Sequence, residues 1–519
     1  MAHDPSCSSG HGSLDPDLLG TRVRTVLVLG ASRSGIGAAR VLASLGREVV
    51  LSDSKEVVLP ADIPAELRRR VRVSTSPQDE AQLEGIDLVV KSPGVPGEAA
   101  PVSVARSRGI PVWGEVELAY RLLSNPITAV TGTNGKTTTT ALIGHIMKEA
   151  GRPVKVVGNI GTALTAVVLE LTGQEELVVE MSSFQLEDTV SFRPRVSVLL
   201  NVTPDHLDRH GDMARYLECK AMLFANQGAE DTAVLNAADP VVRGVGVDLL
   251  GRSSGPNIRF FSTEEQDLPC PQSSAHRLSS YRAEPQRCMS ASDGPQTGSG
   301  ATPALHSWLS GGWLHLDGAR ALPASALSLR GMHNVENCLA AAVAALARGV
   351  GVNDVVTGLR TFPGVPHRLE KAGKIAGVEY VNDSKATNVD AALKALEAYA
   401  HGVHLIVGGR DKGSDYLPLA RACVGACVAV YLVGEATPLI AEAFERLADE
   451  APRADLPPVS RVGDLEAALY RASEVAVSGE TVLLAPACAS FDQYEDFEAR
   501  GRHFTTIVER LRREIEGDR

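Results

Sequence analysis

The sequence offers little support for a disulfide framework or for a cysteine-based metal site. Its eight cysteines include no C-x-x-C pair. Cys423 and Cys427 lie four residues apart in an apolar stretch that we predict to be helical, and core packing is the expected role of both thiols. Scattered, unpaired cysteines are typical of proteins in a reducing compartment, so we expect a cytoplasmic location.

Basic runs and long apolar runs are also missing. The net charge is −12 without a block of lysines or arginines, so neither nucleic acid nor an anionic membrane finds an electrostatic binding surface. No stretch approaches about 18 consecutive apolar residues, and residues 1–20 have neither a basic start nor an apolar signal core. We therefore expect no membrane partner and no nucleic-acid partner.

The chain length and the strand pattern predict several α/β domains. A chain of 519 residues is too long for one core and predicts about three domains. Short apolar strands alternate with helical segments, which predicts parallel, doubly wound sheets. Residues 262–310 are dense in Ser, Pro, Gly and Gln, which predicts a disordered insertion. The predicted order is a disordered tail (1–20), an N-terminal Rossmann-like domain (21–120), a central P-loop ATPase-like domain with a parallel or mixed sheet (121–362) and a C-terminal Rossmann-like domain (363–519).

The most informative segment is I-T-A-V-T-G-T-N-G-K-T-T-T-T, at residues 127–140. A β-branched strand leads into a glycine turn that opens a helix, so backbone N–H groups, the helix N-terminus and Lys136 converge on a phosphate. The Thr137 hydroxyl is placed to bind Mg²⁺. Val130 stands where the general P-loop pattern has glycine, and a chance glycine-rich turn is the alternative. The predicted ATP-binding residues of this segment are Gly132, Thr133, Asn134, Gly135, Lys136, Thr137 and Thr138.

Two further segments of the central domain follow strands and offer candidate metal ligands. Glu180, in E-M-S-S-F-Q-L-E, ends a strand beside the P-loop, where Mg²⁺ needs a hard oxygen ligand. A helix-capping or solvated glutamate is the alternative. His206 and His210, in N-V-T-P-D-H-L-D-R-H-G, have the i, i+4 spacing of a zinc pair, but no cysteine and no H-E-x-x-H pattern supports zinc.

The first domain carries a glycine turn, G-A-S-R-S-G-I-G, at residues 30–37. Its position matches a dinucleotide-binding fingerprint, with Asp53 ending the next strand, but Ser32 replaces the second glycine. From these residues alone, NAD(P) or FAD binding and an unliganded turn both remain open.

The third domain has four polar segments that are too rich in charged and hydroxyl groups to be core. They contain Arg368 in P-H-R-L-E, Asp383 and Thr387 in Y-V-N-D-S-K-A-T-N, Lys412 in L-I-V-G-G-R-D-K-G, and Ser490 in A-P-A-C-A-S-F-D-Q-Y-E-D-F-E. Solvated surface charge is the alternative reading of each segment taken alone.

Taken in order, these motifs resemble those of the Mur ligase family of ATP-dependent amide-forming enzymes, over residues 22–515 apart from the insertion. S-S-F-Q-L-E, N-D-S-K-A-T-N and F-D-Q-Y-E-D-F-E are most similar to the branch that adds D-glutamate. The resemblance implies that ATP phosphorylates the carboxylate of UDP-N-acetylmuramoyl-L-alanine and that D-glutamate then displaces phosphate, in cytoplasmic synthesis of peptidoglycan precursors. Another Mur branch, folylpolyglutamate synthase and a non-catalytic P-loop protein are the alternatives.

The resemblance also implies roles for individual residues. Lys136, His206 and Lys220 would act in catalysis, and a minority reading makes His206 the base for the amine. Two Mg²⁺ sites would use Thr137, Glu180, His206 and Lys220, the lysine after reaction with CO₂ to a carbamate; a solvated lysine is the alternative. ATP would also contact Asn337, for which a helix N-cap is the alternative, together with Arg368 and Asp383. The UDP substrate would contact Ser32, Arg33, Ser34, Asp53, Ser54, Ser92, Gly94 and Asn159. D-Glutamate would contact Thr387, Lys412, Ser490 and Phe497, and a monomer is expected.

Overall fold

A computed structural model describes residues 19–20, 22–60, 63–75, 79–159, 161–263, 305–329, 331–411, 413–450 and 455–517. The chain forms two compact units, Met1–Phe362 and Pro363–Arg519. Residues 1–18 of the predicted tail, residues 264–304 of the predicted insertion and Lys412 lie outside the described residues. Leu19 is buried in the core of the first unit, so the predicted tail extends too far toward the first strand.

The first unit opens with a five-stranded sheet in which all neighbours are parallel. Its strands are almost continuously apolar because helices cover both faces of such a sheet. The strands are β1 (Thr25–Leu29), β2 (Glu48–Ser52), β3 (Val71–Ser74), β4 (Leu88–Lys91) and β5 (Val112–Gly114), in the order β3-β2-β1-β4-β5. The helices are α1 (Arg33–Ser44), α2 (Ala65–Arg68), α3 (Ala100–Ser107) and α4 (Glu115–Leu122).

A nine-stranded sheet forms the rest of the first unit within the described residues. Its strands are β6 (Ile127–Thr131), β7 (Val154–Gly158), β8 (Glu176–Glu180), β9 (Val196–Leu199), β10 (Thr232–Asn236), β11 (Asn257–Ser262), β12 (Leu305–Ser310), β13 (Trp313–Leu316) and β14 (Ala319–Pro323). They lie in the order β14-β13-β12-β11-β10-β9-β6-β8-β7, parallel from β7 to β12 and antiparallel through β13 and β14. The helices are α5 (Lys136–Glu149), α6 (Leu164–Val167), α7 (Ser183–Leu186), α8 (Leu207–His210), α9 (Met213–Ala221), α10 (Pro240–Leu250), α11 (Met332–Ala347) and α12 (Val352–Thr361).

The strand β12 corrects the predicted insertion. Residues 305–310 were expected within a disordered segment, but they pair in parallel with β11. The apolar residues of L-H-S-W-L-S do not alternate, so this segment has no period-2 strand pattern, and the Ser- and Pro-rich composition upstream extended the predicted insertion over it.

The second unit contains a six-stranded sheet in the order β15-β16-β20-β17-β18-β19. Only the edge pair β15–β16 is antiparallel. The strands are β15 (Glu370–Ile375), β16 (Val378–Asn382), β17 (Val403–Gly408), β18 (Cys427–Val433), β19 (Val459–Gly463) and β20 (Thr481–Leu484). The helices are α13 (Val389–Leu396), α14 (Leu417–Cys423), α15 (Thr437–Glu450), α16 (Leu465–Val475) and α17 (Phe497–Glu516). The three-domain α/β prediction is therefore confirmed, with one sheet for each predicted domain.

The cysteine pair of the second unit does not share one helix, as the apolar pattern had predicted. Cys423 ends α14 and Cys427 begins β18, with Gly425 in a left-handed conformation between them. In the described part of the chain, no helix combines the length and the apolar character needed to cross a bilayer.

Candidate active site

Two positions of the turn between β6 and α5 have room only for glycine. Gly132 and Gly135 have φ values of 153° and 82°. A Cβ on Gly135 would lie 2.3 Å from Oδ1 of Asn337, and a Cβ on Gly132 would lie 3.0 Å from Cβ of Leu200. Asn337 is buried inside α11 and its Oδ1 accepts a hydrogen bond from Thr139, so it supports the loop and does not serve as an N-cap.

The loop is held from its other side by residues that the sequence pattern did not single out. Asn201 accepts from the Asn134 backbone N–H at 2.8 Å and donates to the Asn134 carbonyl at 3.2 Å. The Thr133 hydroxyl donates to the Thr203 carbonyl at 3.2 Å and accepts from the Thr203 N–H at 3.0 Å. These contacts hold Thr133 and Asn134 of the glycine turn in place. Only the position of Asn201 directly after β9 marked it in the sequence.

Two lysines meet at one carbonyl of this turn. Lys136 Nζ donates to the carbonyls of Gly132 at 2.9 Å and Thr133 at 2.7 Å, and Lys220 Nζ donates to the Gly132 carbonyl at 2.9 Å. Lys220 is 1% exposed, so the solvated-lysine reading is wrong. Burial, followed by the charge of Lys136, lowers the pKa of Lys220 to about 7, while Asp205 opposes the shift.

These groups border a cavity of about 120 Å³ in the first unit. It brings together residues from the P-loop, from the turn after β7, from α7 and from the loop after β9. Its lining consists of Lys136, Asn159, Ser182, Ser183, Phe184, Asp205, His206, Tyr216 and Lys220. Four of these, Lys136, Asn159, His206 and Lys220, were predicted site residues. The other five, Ser182, Ser183, Phe184, Asp205 and Tyr216, were not among the predicted site residues, although the first four belong to motifs that were quoted.

Glu180 is neither a solvated glutamate nor a helix cap. It ends β8 in a buried position, and its Oε1 accepts a hydrogen bond from Asn159 Nδ2 at 3.0 Å. Its Oε2 is also buried and has no hydrogen-bond partner in the part of the chain that the structure describes. An orphaned carboxylate oxygen is costly unless a cation or donor reaches it, so this atom fits a metal ligand. No group of three or more His, Cys, Asp or Glu side chains in the described residues is arranged to hold a metal ion. A cation here would therefore need other donors, such as the buried Thr137 hydroxyl and phosphate oxygens.

The two histidines of the N-V-T-P-D-H-L-D-R-H-G segment differ in environment. His206 is half exposed, has φ 52° and faces Asp205, with Nε2 at 3.5 Å from Oδ2. His210 is buried, and its Nε2 contacts the Ser183 hydroxyl at 2.9 Å. Burial is the largest cause of the lowered pKa of His210. The ring of Phe184 lies between the two imidazoles, at 5.0 and 5.2 Å, so they do not form a zinc pair.

Apart from Asn159, which follows β7 of the nine-stranded sheet, the predicted UDP-side residues lie after the carboxyl ends of strands of the first sheet. Burial alone would raise the pKa of Asp53, but hydrogen bonds from the N–H groups of Ala31, Lys55 and Ser54 leave it lowered. Ser92 is buried and donates to the Gly30 carbonyl at 3.2 Å. Ser32 precedes the first residue of α1, Arg33 donates to the Gly161 carbonyl at 3.4 Å, and the Ser34 carbonyl accepts from Thr165. Ser54 and Gly94 are exposed. A Cβ on Gly94 would meet no atom.

In the second unit, the positive charge of Arg368 acts on the carboxylate of Asp383. Arg368 stands between His367 and Leu369, which both have left-handed φ values. Such strain is concentrated at functional sites. Asp383 follows β16 and is buried; desolvation raises its pKa to about 6, partly offset by Arg368.

Of the predicted amino-acid-binding residues, two lie on loops that follow strands of this sheet and one begins a helix. Ser490 is buried after β20, Thr387 lies in the loop after β16, and Phe497 begins α17. The Ser384 hydroxyl donates to the Phe497 carbonyl at 2.8 Å, which joins two of these loops. The loop after β17 joins them through Arg410, whose backbone pairs with that of Ala489. The roles of these residues stay predictions.

The chain is similar to known proteins along nearly its whole length. Three profiles match the chain: "Mur ligase MurD-like, N-terminal domain" at residues 24–114, "Mur ligase middle domain" at 130–294 and "Mur ligase, glutamate ligase domain" at 367–488. A protein named UDP-N-acetylmuramoylalanine--D-glutamate ligase from Pelotomaculum thermopropionicum is 41% identical over 495 residues, which cover 94% of this chain and 98% of the relative. A protein of the same name from Anaeromyxobacter dehalogenans is 41% identical over 508 residues, covering 95% and 98%.

Solved structures show the same fold at low sequence identity. UDP-N-acetylmuramate-alanine ligase MurC from Thermotoga maritima has a TM-score of 0.53 at 19% identity, covering 94% of this chain and 99% of that one. MurF from Acinetobacter baumannii has a TM-score of 0.53 at 16% identity, covering 89% and 90%. The relatives that are 41% identical over nearly the whole chain show that this protein is a ligase. The chain belongs to the Mur ligase family.

Proposed function

We propose that this ligase joins D-glutamate to UDP-N-acetylmuramoyl-L-alanine, with ATP cleaved to ADP and phosphate. The γ-phosphoryl group passes to the substrate carboxylate, and the amine of D-glutamate then displaces phosphate to form the amide. The observation that carries this proposal is the convergence of Lys136, Lys220, Asn159 and His206 on one cavity beside the unpaired oxygen of Glu180. The relatives that cover nearly the whole chain bear the name of this reaction.

The residues of the chain have distinct parts in this reaction. Lys136 and the N-terminus of α5 stabilise negative charge on the transferred phosphoryl group. Asn159 is exposed and also holds Glu180, so it is placed to orient the substrate carboxylate beside the phosphate. We assign Arg368 and Asp383 to nucleotide binding, and Thr387, Lys412, Ser490 and Phe497 to D-glutamate binding.

Two Mg²⁺ ions complete the site in this proposal. Thr137 and Glu180 would hold one, and His206 and Lys220 the other. When bound, Mg²⁺ supplies positive charge to phosphate oxygens. The orphaned Glu180 oxygen supports the first site. His206 is half exposed and lines the same cavity as Lys220, which supports the second.

We further propose that Lys220 reacts with CO₂ to form a carbamate. Lys220 and Lys136 donate to the same carbonyl, so two ammonium groups would repel each other in a buried place. Among the described residues, Lys220 has no ion-pair partner, and its lowered pKa leaves much of the amine unprotonated and nucleophilic near neutral pH. A carbamate replaces this cation by an anion, so repulsion of Lys136 becomes attraction.

Two variants and a small carboxylate test the carbamate. Lys220→Arg keeps the charge but cannot carry CO₂, so activity should fall by about 10²–10³, the scale for losing one preorganised charge-stabilising group. Lys220→Ala leaves space for acetate or formate, which should restore part of the activity at fixed ionic strength. An active arginine variant would show that Lys220 works as a cation.

Phosphate release tests the function itself. Release should require ATP, UDP-N-acetylmuramoyl-L-alanine and D-glutamate together, and Lys136→Ala should serve as the inactive control. A better rate with L-glutamate or a diamino acid would assign the chain to another branch. Dependence on a pterin substrate would point to folylpolyglutamate synthase.

We place the reaction in the cytoplasm, where ATP is made, and the free thiols of Cys219, Cys338, Cys423, Cys427 and Cys488 suit a reducing compartment. All the residues proposed for the site come from one chain, so we propose a monomer, which sedimentation measures directly.

A further inference from the structure

Arg500 is a buried cation near the start of the last helix, α17. The residue is 3% exposed. Nε donates to the Ser384 hydroxyl at 3.0 Å, and Nη2 donates to the carbonyls of Ser384 at 2.9 Å and Cys488 at 3.2 Å. Nη1 reaches the Ala489 carbonyl at 3.5 Å. One guanidinium therefore ties together the loops after β16 and after β20.

Each of these loops carries a residue proposed for the amino-acid pocket. Ser384 lies three residues before Thr387, and Ala489 directly precedes Ser490. The Ser384 hydroxyl, which accepts from Arg500, donates in turn to the Phe497 carbonyl at 2.8 Å. The loop after β17 also approaches: a Cβ on Gly409 would lie 3.2 Å from Arg500 Nη1.

The charge of Arg500 is not neutralised by direct contact. Each of its acceptors is an uncharged oxygen, and no carboxylate of the described residues forms an ion pair with it. Burial lowers the pKa of Arg500 to about 10, so the guanidinium remains charged at neutral pH. Asp492 raises that pKa, but its Oδ2 accepts from the Glu435 N–H and not from Arg500.

A buried charge without a counter-ion is costly, and its field extends further in a low dielectric than in water. Joining these loops requires only hydrogen-bond donors for their carbonyl groups, and neutral donors would be sufficient for that. The retained positive charge has an additional consequence for any ligand that binds beside Ser490 and Phe497, because it favours an anion over a neutral group of the same shape.

We propose that Arg500 is a positioning and specificity residue, which aligns the loops of the amino-acid pocket and through its unneutralised charge selects an amino acid with a second carboxylate. This inference rests on the proposed function. It adds to that function the residue whose charge distinguishes D-glutamate from its neutral amide, D-glutamine.

Steady-state kinetics with D-glutamate and D-glutamine test the proposal, because the two amino acids differ mainly in the charge of the side chain. Arg500→Lys keeps the charge but cannot span four acceptors, so the KM for D-glutamate should rise about 10-fold with the preference over D-glutamine retained. Arg500→Gln should raise that KM by about 100-fold and lower the preference at least about 10-fold. The KM for ATP should change less than about twofold in both variants.

Two further variants separate positioning from charge. Ser384→Ala removes the hydroxyl between Arg500 and Phe497 without changing charge, so KM should rise equally for both amino acids. Asp492→Asn keeps an oxygen for the Glu435 N–H and removes a negative charge, so the preference for D-glutamate should increase. Arg502→Gln, at an exposed position of the same helix, is the matched control and should change nothing.

An unchanged preference in Arg500→Gln, with KM raised equally for both amino acids, would reduce Arg500 to a structural clamp. Should the glutamine variant fail to fold in a thermal scan, Asp492→Asn decides the question of charge, and an unchanged preference there overturns it. Loss of D-glutamate-dependent phosphate release in the unmodified chain is a different result, because it refutes the proposed function.

Discussion

At the scale of single residues, Asp383 shows the conflict between burial and function. Its carboxylate follows β16 in a buried position where desolvation raises its pKa to about 6, and the charge of Arg368 offsets only part of this effect. A group held charged in this way destabilises the fold at neutral pH, and natural proteins retain such groups where a ligand needs them.

Asp383→Asn should therefore stabilise the chain while lowering its turnover. The pKa of about 6, against a reference of 3.8, corresponds to a gain of about 1–3 kcal/mol at pH 7.5. Because the folded-state pKa is raised, the wild-type penalty is complete above about pH 6 and absent below about pH 4. Thermal unfolding of both proteins should show a difference in Tm that shrinks as the pH falls. Asp390→Asn, at an exposed position on α13, is the control. A difference in Tm that is independent of pH would mean that burial of charge is not its cause.

At the scale of helices and strands, the sequence predicted most elements but not what joins them. The runs that predict β6 and β8 are buried at every position, so their composition alone was sufficient. Lys91 and Arg209 were not predicted, because a single charged residue in a strand or short helix carries no pattern of its own. The strand β12 was missed because the low-complexity segment before it dominated the composition. Asn201 and Arg500 act through contacts that are distant in sequence.

Arg209 links the two sheets of the first unit. It lies in α8, three residues after His206, and donates to the carbonyls of Pro93 at 3.1 Å and Val95 at 3.0 Å in the loop after β4. Its guanidinium lies 4.4 Å from the ring centre of Phe184, which lines the cavity. The Val95 carbonyl also accepts from buried Lys91 at 2.9 Å. The loop proposed to hold the UDP end of the substrate is thus tied to the loop that carries His206.

Arg209→Ala should loosen this link. Loss of two charge-assisted hydrogen bonds, about 1.5–3 kcal/mol each before relaxation, should raise the KM for the UDP substrate by about 10–100-fold and leave the KM for ATP nearly unchanged. Arg209→Lys can reach one carbonyl and should be intermediate. Arg215→Ala, which removes an exposed pair with Glu218, is the control. Equal increases in both KM values would contradict a link that acts on the UDP side.

The parallel pairing of β11 with β12 sets a limit on how far the insertion can be shortened. Phe260 pairs with Leu305 and Ser262 with Trp308, so the chain must cross over between the two strands. Replacing residues 266–303 by a Gly/Ser linker of about 14 residues should retain activity and change stability by about 1 kcal/mol. A linker of about 3 residues cannot make a parallel crossover and should unpair β12. Circular dichroism and phosphate release would check both. Equal behaviour of the two linkers would contradict the pairing.

At the scale of the whole molecule, the predicted boundary near residue 120 differs in kind from the one at residue 362. One hydrophobic cluster includes residues of the first sheet and of the nine-stranded sheet, such as Val28 in β1 and Val179 in β8, together with Ala38 of α1 and Leu164 of α6. Thr165 donates to the Ser34 carbonyl, and the buried carboxylate of Glu115 accepts from the N–H and hydroxyl of Thr165. The clusters of the second unit contain only its own residues.

Cutting the chain at these two places should therefore give different results. Residues 363–519 should fold alone and unfold cooperatively, since all six strands of their sheet and both of their clusters come from this segment. Residues 1–362 should fold and bind ATP more weakly than the whole chain, because they lack Arg368 and Asp383, and should not form the amide, with Lys136→Ala as the non-binding control. Residues 1–120 and 121–362 should each expose part of a shared core and buried Glu115 or Thr165, so they should aggregate or melt without cooperativity. Thermal unfolding and calorimetric ATP binding on the four fragments separate these cases. A cooperative transition in residues 1–120 alone would mean that the shared core adds little to the stability of the first sheet.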